Sequence, residues 1–317
     1  CEHGGPDAEG MSSSDTHRLL EGVASVEISK VEDRAFLRTF NVVVLGAAMT
    51  DSTLRLFIPT SERKRSGGCP EQAFGHVQHN RNDNRFLSLS EPRLKAVRAL
   101  MHAVNGQGHG EVVLRRSGKR LVDATAINLR ILTSPVMPAI HREDGPLFTA
   151  LNYEGLSEEA RVLLGKSAIL FCLLLGVLSP FDKVPDYRCP VAAQIPNWGS
   201  LHQYWKEPVR PVLDRACRSR DVVSFLPSRL AALWTPHRSV RSFTSIQFAQ
   251  ERPDGSLHPE HAGHGGLSGE MIRFLLTKGS GRVESLKKFR SEEGHVYAQS
   301  KSEVRGESDT WIFVRKA

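Results

Sequence analysis

Residues 168–188 read Ala168-Ile-Leu-Phe-Cys-Leu-Leu-Leu-Gly-Val-Leu-Ser-Pro-Phe-Asp-Lys-Val-Pro-Asp-Tyr-Arg188. Their first eleven, to Leu178, are the longest apolar run in the chain. A membrane-spanning helix needs about 20 such residues, so the run reads as a core element. Its continuous rather than alternating apolarity predicts a central strand, Ala168–Leu175, buried on both faces. Beyond Gly176, Pro180 and Pro185 are interleaved with Asp182, Lys183, Asp186, Tyr187 and Arg188. Charged and aromatic residues fixed by prolines at the end of a central strand stand where α/β proteins build sites. A rigid loop in which Asp182 and Arg188 satisfy backbone groups and each other fits the same residues equally well.

Upstream, Ser157-Glu158-Glu159 opens a helix with acidic residues at its positive end. Leu54–Ile58 before Pro59 reads as a strand, and Gly67-Gly68-Pro70 and Gly75–Arg85 as irregular chain. Ser90 reads as the N-cap of a helix with Leu94, Val97, Leu100, Met101 and Val104 on one face, closed at Gly106. Gly106–Gly110 and Arg115–Arg120 read as exposed connections. Downstream, Ser200 caps a helix that Pro208 and Pro211 either start or split, and Asp221–Leu226 and Val240–Phe248 are strands. Ser268 caps a helix ending at Gly279, and Trp311–Val314 is a last strand. Interleaved helices and strands place the class at α/β or α+β.

The chain has 317 residues, with 42 Lys+Arg against 35 Asp+Glu and a formal charge of +7. That balance permits nucleic acid or an anionic surface as partner without requiring either. The basic residues fall in small clusters, among them Arg63-Lys64-Arg65 and Arg115-Arg116 with Lys119-Arg120, each of which reads by itself as solvated surface. Five widely separated cysteines exclude a CxxC zinc site and argue for a reducing compartment. Asn41–Met49 follows charged residues and does not read as an export signal, so a cytoplasmic location with no membrane contact is expected. Residues 1–50 form an N-terminal extension, disordered to about Thr16, with strand-forming stretches between Val23 and Met49; residues 51–317 form one domain.

No GxSxG, HExxH or Walker A motif is present. His258, His261 and His264 have ligand spacing, but Pro259, Gly263, Gly265 and Gly266 forbid the helix that would align them. Cys69, His76 and His79 lack a second pair at finger spacing. No metal and no cofactor are expected.

Several stretches, in order, resemble the YaaA peroxide-stress family of bacterial cytoplasmic proteins. Phe57-Ile-Pro-Thr-Ser-Glu-Arg-Lys64 with Gly67-Gly68 is similar to the family's first strand and loop, and Pro146-Leu-Phe-Thr-Ala-Leu151 with Leu156-Ser157 to a following segment. Gly176-Val-Leu-Ser-Pro-Phe-Asp182 with Pro185–Arg188 is similar to its Gly-Val-Leu-Arg-Pro-x-Asp … Pro-Tyr-Arg loop. Leu201-His-Gln-Tyr-Trp205, and Glu293-Gly294 with Trp311–Val314, follow in place. The chain departs from the pattern at Ser179, and at Gly265, Gly266 and Ser268, where the family carries cations.

The resemblance implies an α+β single domain with a mixed sheet, surrounding helices and a basic cleft. It also implies a role in limiting iron-linked oxidative damage, with DNA binding attributed to the family and no reaction attached to it. On this reading the protein binds nucleic acid without base specificity, through Arg63, Lys64, Lys183 and Arg188 on phosphates and Tyr187 stacking. Two alternatives stand beside it: an enzyme acting on a small anionic substrate through Ser61, Glu62, Asp182 and Arg188, and a degenerate family member without a ligand.

Overall fold

Leu54–Pro59 (β1) is an interior strand of the sheet in a computed structural model that describes residues 53–105, 109–260, 265–305 and 308–316. The N-terminal extension, its expected disorder and the stretches between Val23 and Met49 lie outside the described residues, as do Gly106, His261 and His264. Leu54, Leu56, Phe57 and Ile58 are buried, and the one charge in β1, Arg55, donates to the Ala216 and Leu54 carbonyls. That pairing is what lets a guanidinium sit inside a central strand.

Ala168–Cys172 (β2) runs parallel to β1 and is buried throughout. The expected strand stops there, because Leu173–Leu175 forms a turn into Gly176–Leu178 (β3), which returns antiparallel. A buried turn must satisfy its own backbone groups. The Leu175 N–H donates to Cys172 Sγ at 3.2 Å, and Trp205 Nε1 donates to the Leu173 carbonyl at 2.8 Å. Gly176 has φ +75°, and a Cβ there would lie 2.8 Å from the Trp205 ring, so only glycine fits.

Asp221–Ser224 (β4) pairs parallel with the opposite edge of β1. Ser242–Glu251 (β5), Leu257–Pro259 (β6), Val296–Tyr297 (β7) and Asp309–Lys316 (β8) complete eight strands in the order β7-β8-β5-β4-β1-β2-β3, with β6 paired to β5. β2, β1, β4, β5 and β8 are parallel, while β3, β6 and β7 are antiparallel. The mixed sheet with its helices is the α+β architecture expected. Chain order places β2 on one side of β1 and β4 on the other. That reversal opens a crevice at the carboxyl end of β1, the usual ligand position in such sheets.

Ser90–Asn105 (α1) buries Leu94, Val97, Leu100 and Val104 as its spacing predicts. Ser90 is no cap: its hydroxyl donates to the Gln78 carbonyl and accepts from Asn84 Nδ2. His109–Leu114 (α2) and Gly118–Asn128 (α3) flank Arg115–Ser117, so the exposed connection expected over Arg115–Arg120 holds in its first half and becomes helix from Gly118. Cys69–Ala73 likewise pairs with Pro135–Pro138, and Phe74–Val77 forms one helical turn, both where irregular chain was expected.

Pro146–Leu151 (α4) is followed by Glu158–Ser167 (α5), capped by Ser157 as read. Leu201–Cys217 (α6) is capped by Ser200 and continues through Pro208 and Pro211. Gly265–Thr277 (α7) begins three residues before Ser268, which is therefore interior. A Cβ on Gly269 would collide with the Leu147 carbonyl, and one on Gly265 would lie 3.2 Å from Leu147 N. Gly265, at one of the departures from the family pattern, and Gly269 thus let α7 approach α4.

Candidate functional site: a crevice with an arginine-lined mouth

The crevice collects the chain immediately beyond three parallel strands. Thr60 and Ser61 follow β1, Leu173 and Leu174 follow β2, and Leu230 lies in the chain after β4; together with Glu62, Phe171, Cys172, Tyr187, Cys189 and Val191 they line an inner pocket of about 20 Å³. That volume holds roughly one water. Tyr187 Oη lies 2.9 Å from Cys172 Sγ, and burial pushes the Cys189 thiol up, so Cys189 is a protonated thiol at neutral pH.

The loop after β1 is fixed from below by Glu143. Its Oε2 accepts from the Ser61 N–H at 2.6 Å, from Ser61 Oγ at 2.8 Å and from Lys64 Nζ at 3.0 Å. Lys64 and Glu143 side chains are each 1% exposed, and Lys64 Nζ sits 4.7 Å from the centre of the Tyr187 ring. Burial raises the Glu143 carboxyl above its ordinary range, against the pull of Lys64 and Ser61. Glu143 Oε1 is buried without a partner.

The proline-framed loop has its own anchor. Asp182 accepts from the Arg85 N–H at 2.8 Å, the Ser179 N–H at 3.1 Å and Arg93 Nη2 at 3.4 Å. Arg93, wholly buried, also donates to the Leu175 and Val177 carbonyls. Burial raises Asp182. The cation beside Asp182 is therefore Arg93, from a helix distant in sequence. Arg188 turns instead onto Asp186 and donates to the Tyr187 carbonyl.

The sequence-read residues divide accordingly. Ser61, Glu62 and Tyr187 meet at the inner pocket. Lys64 lies beneath it, Asp182 is 3% exposed against Arg93, and Lys183 is buried in a two-residue strand paired with Met137–Pro138. Tyr187 is 4% exposed and presents no face to a base. Arg63 is the one exposed cation of the set, with Nη2 3.5 Å from Asp144. The four cations read from sequence thus do not converge as solvent-facing groups, and Ser61, Glu62, Asp182 and Arg188 do not form one polar set.

A different cluster converges. Arg115, Arg116, Arg120 and Arg229 line a cleft of about 520 Å³ with Glu62, Ser117 and Pro190–Ala192. Glu62 and Val191 belong to both cavities, so the cleft is the mouth of the crevice. Glu62 Oε1 is held by the Val191 N–H. Among the described residues none of the four guanidiniums makes an ion pair or a side-chain hydrogen bond. Ser117 stands at the N-cap of α3 with no side-chain cap bond, which leaves first-turn N–H groups facing the same turn. The sequence signal was present in two arginines before the Ser117-Gly118 turn and one after it. What sequence could not show is that Arg229, more than a hundred residues on, joins them.

Among the described residues no group of His, Cys, Asp and Glu has the arrangement of a metal site, and His258 lies in β6, bonded to Arg252. No described helix is long and apolar enough to cross a membrane.

Residues 77–301 match the family model for the peroxide stress protein YaaA. A UPF0246 protein of Lactobacillus johnsonii is 26% identical over 262 residues, 80% of this chain and 96% of that protein. UPF0246 proteins of Streptomyces coelicolor and Corynebacterium glutamicum are 28% and 32% identical over 157 and 143 residues, 49% and 45% of this chain. These two matches cover 59% and 53% of the relatives' own length. With most of its length matched and its strand order built around the segments read from sequence, the chain belongs to the YaaA peroxide-stress protein family.

Proposed function

We propose that this protein serves in peroxide-stress defence by binding nucleic acid without base specificity through the arginine-lined cleft, so limiting iron-dependent damage to it. The observation that carries the reading is the set of four guanidiniums around one cavity with Glu62 as the carboxylate among them. Like charges gathered without ion-pair partners repel one another, and the cost is offset when a polyanion enters. Arginine forks fit phosphate oxygens in pairs, and the uncapped first turn of α3 adds N–H donors aimed at the same region. Phosphate contacts of this kind fix position and carry no sequence information. Arg63, exposed on the loop that supplies Glu62, extends the basic surface.

The test is titration of the protein with two unrelated oligonucleotide sequences at fixed salt. Similar affinities are expected for both, and R116A/R120A should weaken both alike. Strong preference for one sequence, or unchanged binding by R116A/R120A, contradicts the proposal.

A further inference from the structure

The arginine cleft has two sides. Arg115, Arg116 and Ser117 lead into α3, which carries Arg120 in its first turn; Pro190–Ala192 and Glu62 stand on the other side. Arg229 goes with the second side, since its neighbour Leu230 lines the inner pocket together with Val191 and Glu62. Hydrophobic packing does little to orient the α3 side. Of the eleven residues of α3, Ala124 and Asn128 are the two that are buried, while Leu121 and Ile127 are half-buried and Val122 is exposed. A surface helix is normally held by a broad apolar stripe against the core, and this stripe is thin.

The second buried residue is an amide, which is costly to bury unless both its ends are paired. Both are paired, and to one residue. Asn128, the last residue of α3 and wholly buried, accepts from the Arg188 N–H at 2.8 Å through Oδ1 and donates from Nδ2 to the Arg188 carbonyl at 2.7 Å. Arg188 stands two residues before Pro190, where the second side of the cleft begins. That segment is itself fixed. Pro185 and Pro190 restrict its backbone, the Asp186 N–H donates to Ser134 Oγ at 3.3 Å, and the Val191 N–H donates to Glu62 Oε1 at 3.4 Å. The clasp therefore ties the foot of a loosely packed helix to a rigid support. Arg120 lies eight residues up that helix, about 12 Å away, so a tilt of about 10° at Asn128 would carry it about 2 Å.

We infer that Asn128 is the positioning residue of the arginine cleft: its clasp on the Arg188 backbone holds Arg116 and Arg120 at the distance from Arg229 at which one polyanion meets both sides. The inference rests on the reading of the cleft as the phosphate-binding site. It also gives the Arg188 position a use that its guanidinium, turned onto Asp186, does not supply.

The salt dependence of affinity for one mixed-sequence duplex tests this, measured for wild type, N128A, R116A/R120A and N128A/R116A/R120A, each shown by its melting curve to be folded at the temperature used. R116A/R120A should lower the slope of log K against log salt by about 1.8, two phosphate contacts. N128A removes no charge, yet should lower the slope by about 0.9 or more, and should lower it no further in the R116A/R120A background. R188A keeps both backbone bonds and should keep the wild-type slope. N128S, neutral and too short to span both Arg188 groups, should show the same loss as N128A and carries the comparison if N128A does not fold. A folded N128A or N128S with a reduced melting temperature and the wild-type slope would make Asn128 a structural residue only and overturn the inference. An equal loss of slope with and without Arg116 and Arg120 would overturn it too, because the effect would not pass through those arginines. If R116A/R120A itself keeps the wild-type slope, the cleft reading has failed and takes the positioning role with it.

Discussion

Lys64 Nζ and Glu143 Oε2 are 3.0 Å apart, both side chains 1% exposed, beneath the loop that supplies Ser61 and Glu62 to the crevice. A buried pair of this kind is a poor source of net stability but costly to break singly, because one charge is left unpaired in a low dielectric. Here it fixes the loop's direction: Glu143 also takes the Ser61 N–H and hydroxyl, so one carboxylate oxygen orients three groups.

K64M is expected to lower stability by roughly 3–5 kcal/mol, or about 10 °C in Tm. K64M/E143L should be more stable than K64M, since removing both charges removes the uncompensated one. Thermal melting of the two variants checks the order. A double variant less stable than K64M would show that the pair is not a matched buried unit.

The pH dependence of stability follows from Glu143 and Asp182, both raised by burial. Each binds its proton more tightly folded than unfolded. Their contribution is fully present below the ordinary carboxylate range and is lost as pH rises through the raised folded value. E143Q should therefore flatten the fall in stability above about pH 4.5, where the unfolded carboxyl titrates. Urea midpoints measured across that range read the slope, whatever E143Q does to the absolute level. An unchanged slope would remove Glu143 from the account.

D182A leaves Arg93 buried with carbonyl partners only, and should cost roughly 3–5 kcal/mol. R188A breaks a half-buried pair with Asp186, its side chain 20% exposed, so a loss of about 1–2 kcal/mol lies between the surface and buried cases. Calorimetry on both variants should give the larger drop for D182A. R188A should leave the salt dependence of nucleic-acid binding unchanged.

The sequence made the apolar run, its strand and the helix caps at Ser157 and Ser200 legible, because continuous apolarity and local capping are encoded within a few residues. It did not reveal that the run turns at Leu173, since that turn is satisfied by Cys172 Sγ, within the run, and by Trp205 Nε1, from a helix read separately. Pairings were equally opaque: Asp182 meets Arg93, and Lys64 meets Glu143, across nearly ninety and eighty residues. The proline-framed loop proved to be largely an anchor. The solvent-facing cations came from Arg115, Arg116, Arg120 and Arg229, which composition alone could describe only as surface.

The central claim is that these four arginines meet phosphates. The salt dependence of affinity for one mixed-sequence oligonucleotide, measured for wild type and R115A/R116A/R120A, tests it most directly. Each lost phosphate contact lowers the slope of log K against log salt by about 0.7 for a single strand and about 0.9 for a duplex. The triple variant should therefore lose roughly two units or more of slope, with its melting temperature unchanged because none of the three is paired within the protein. A triple variant that folds normally and keeps the wild-type slope would contradict the account.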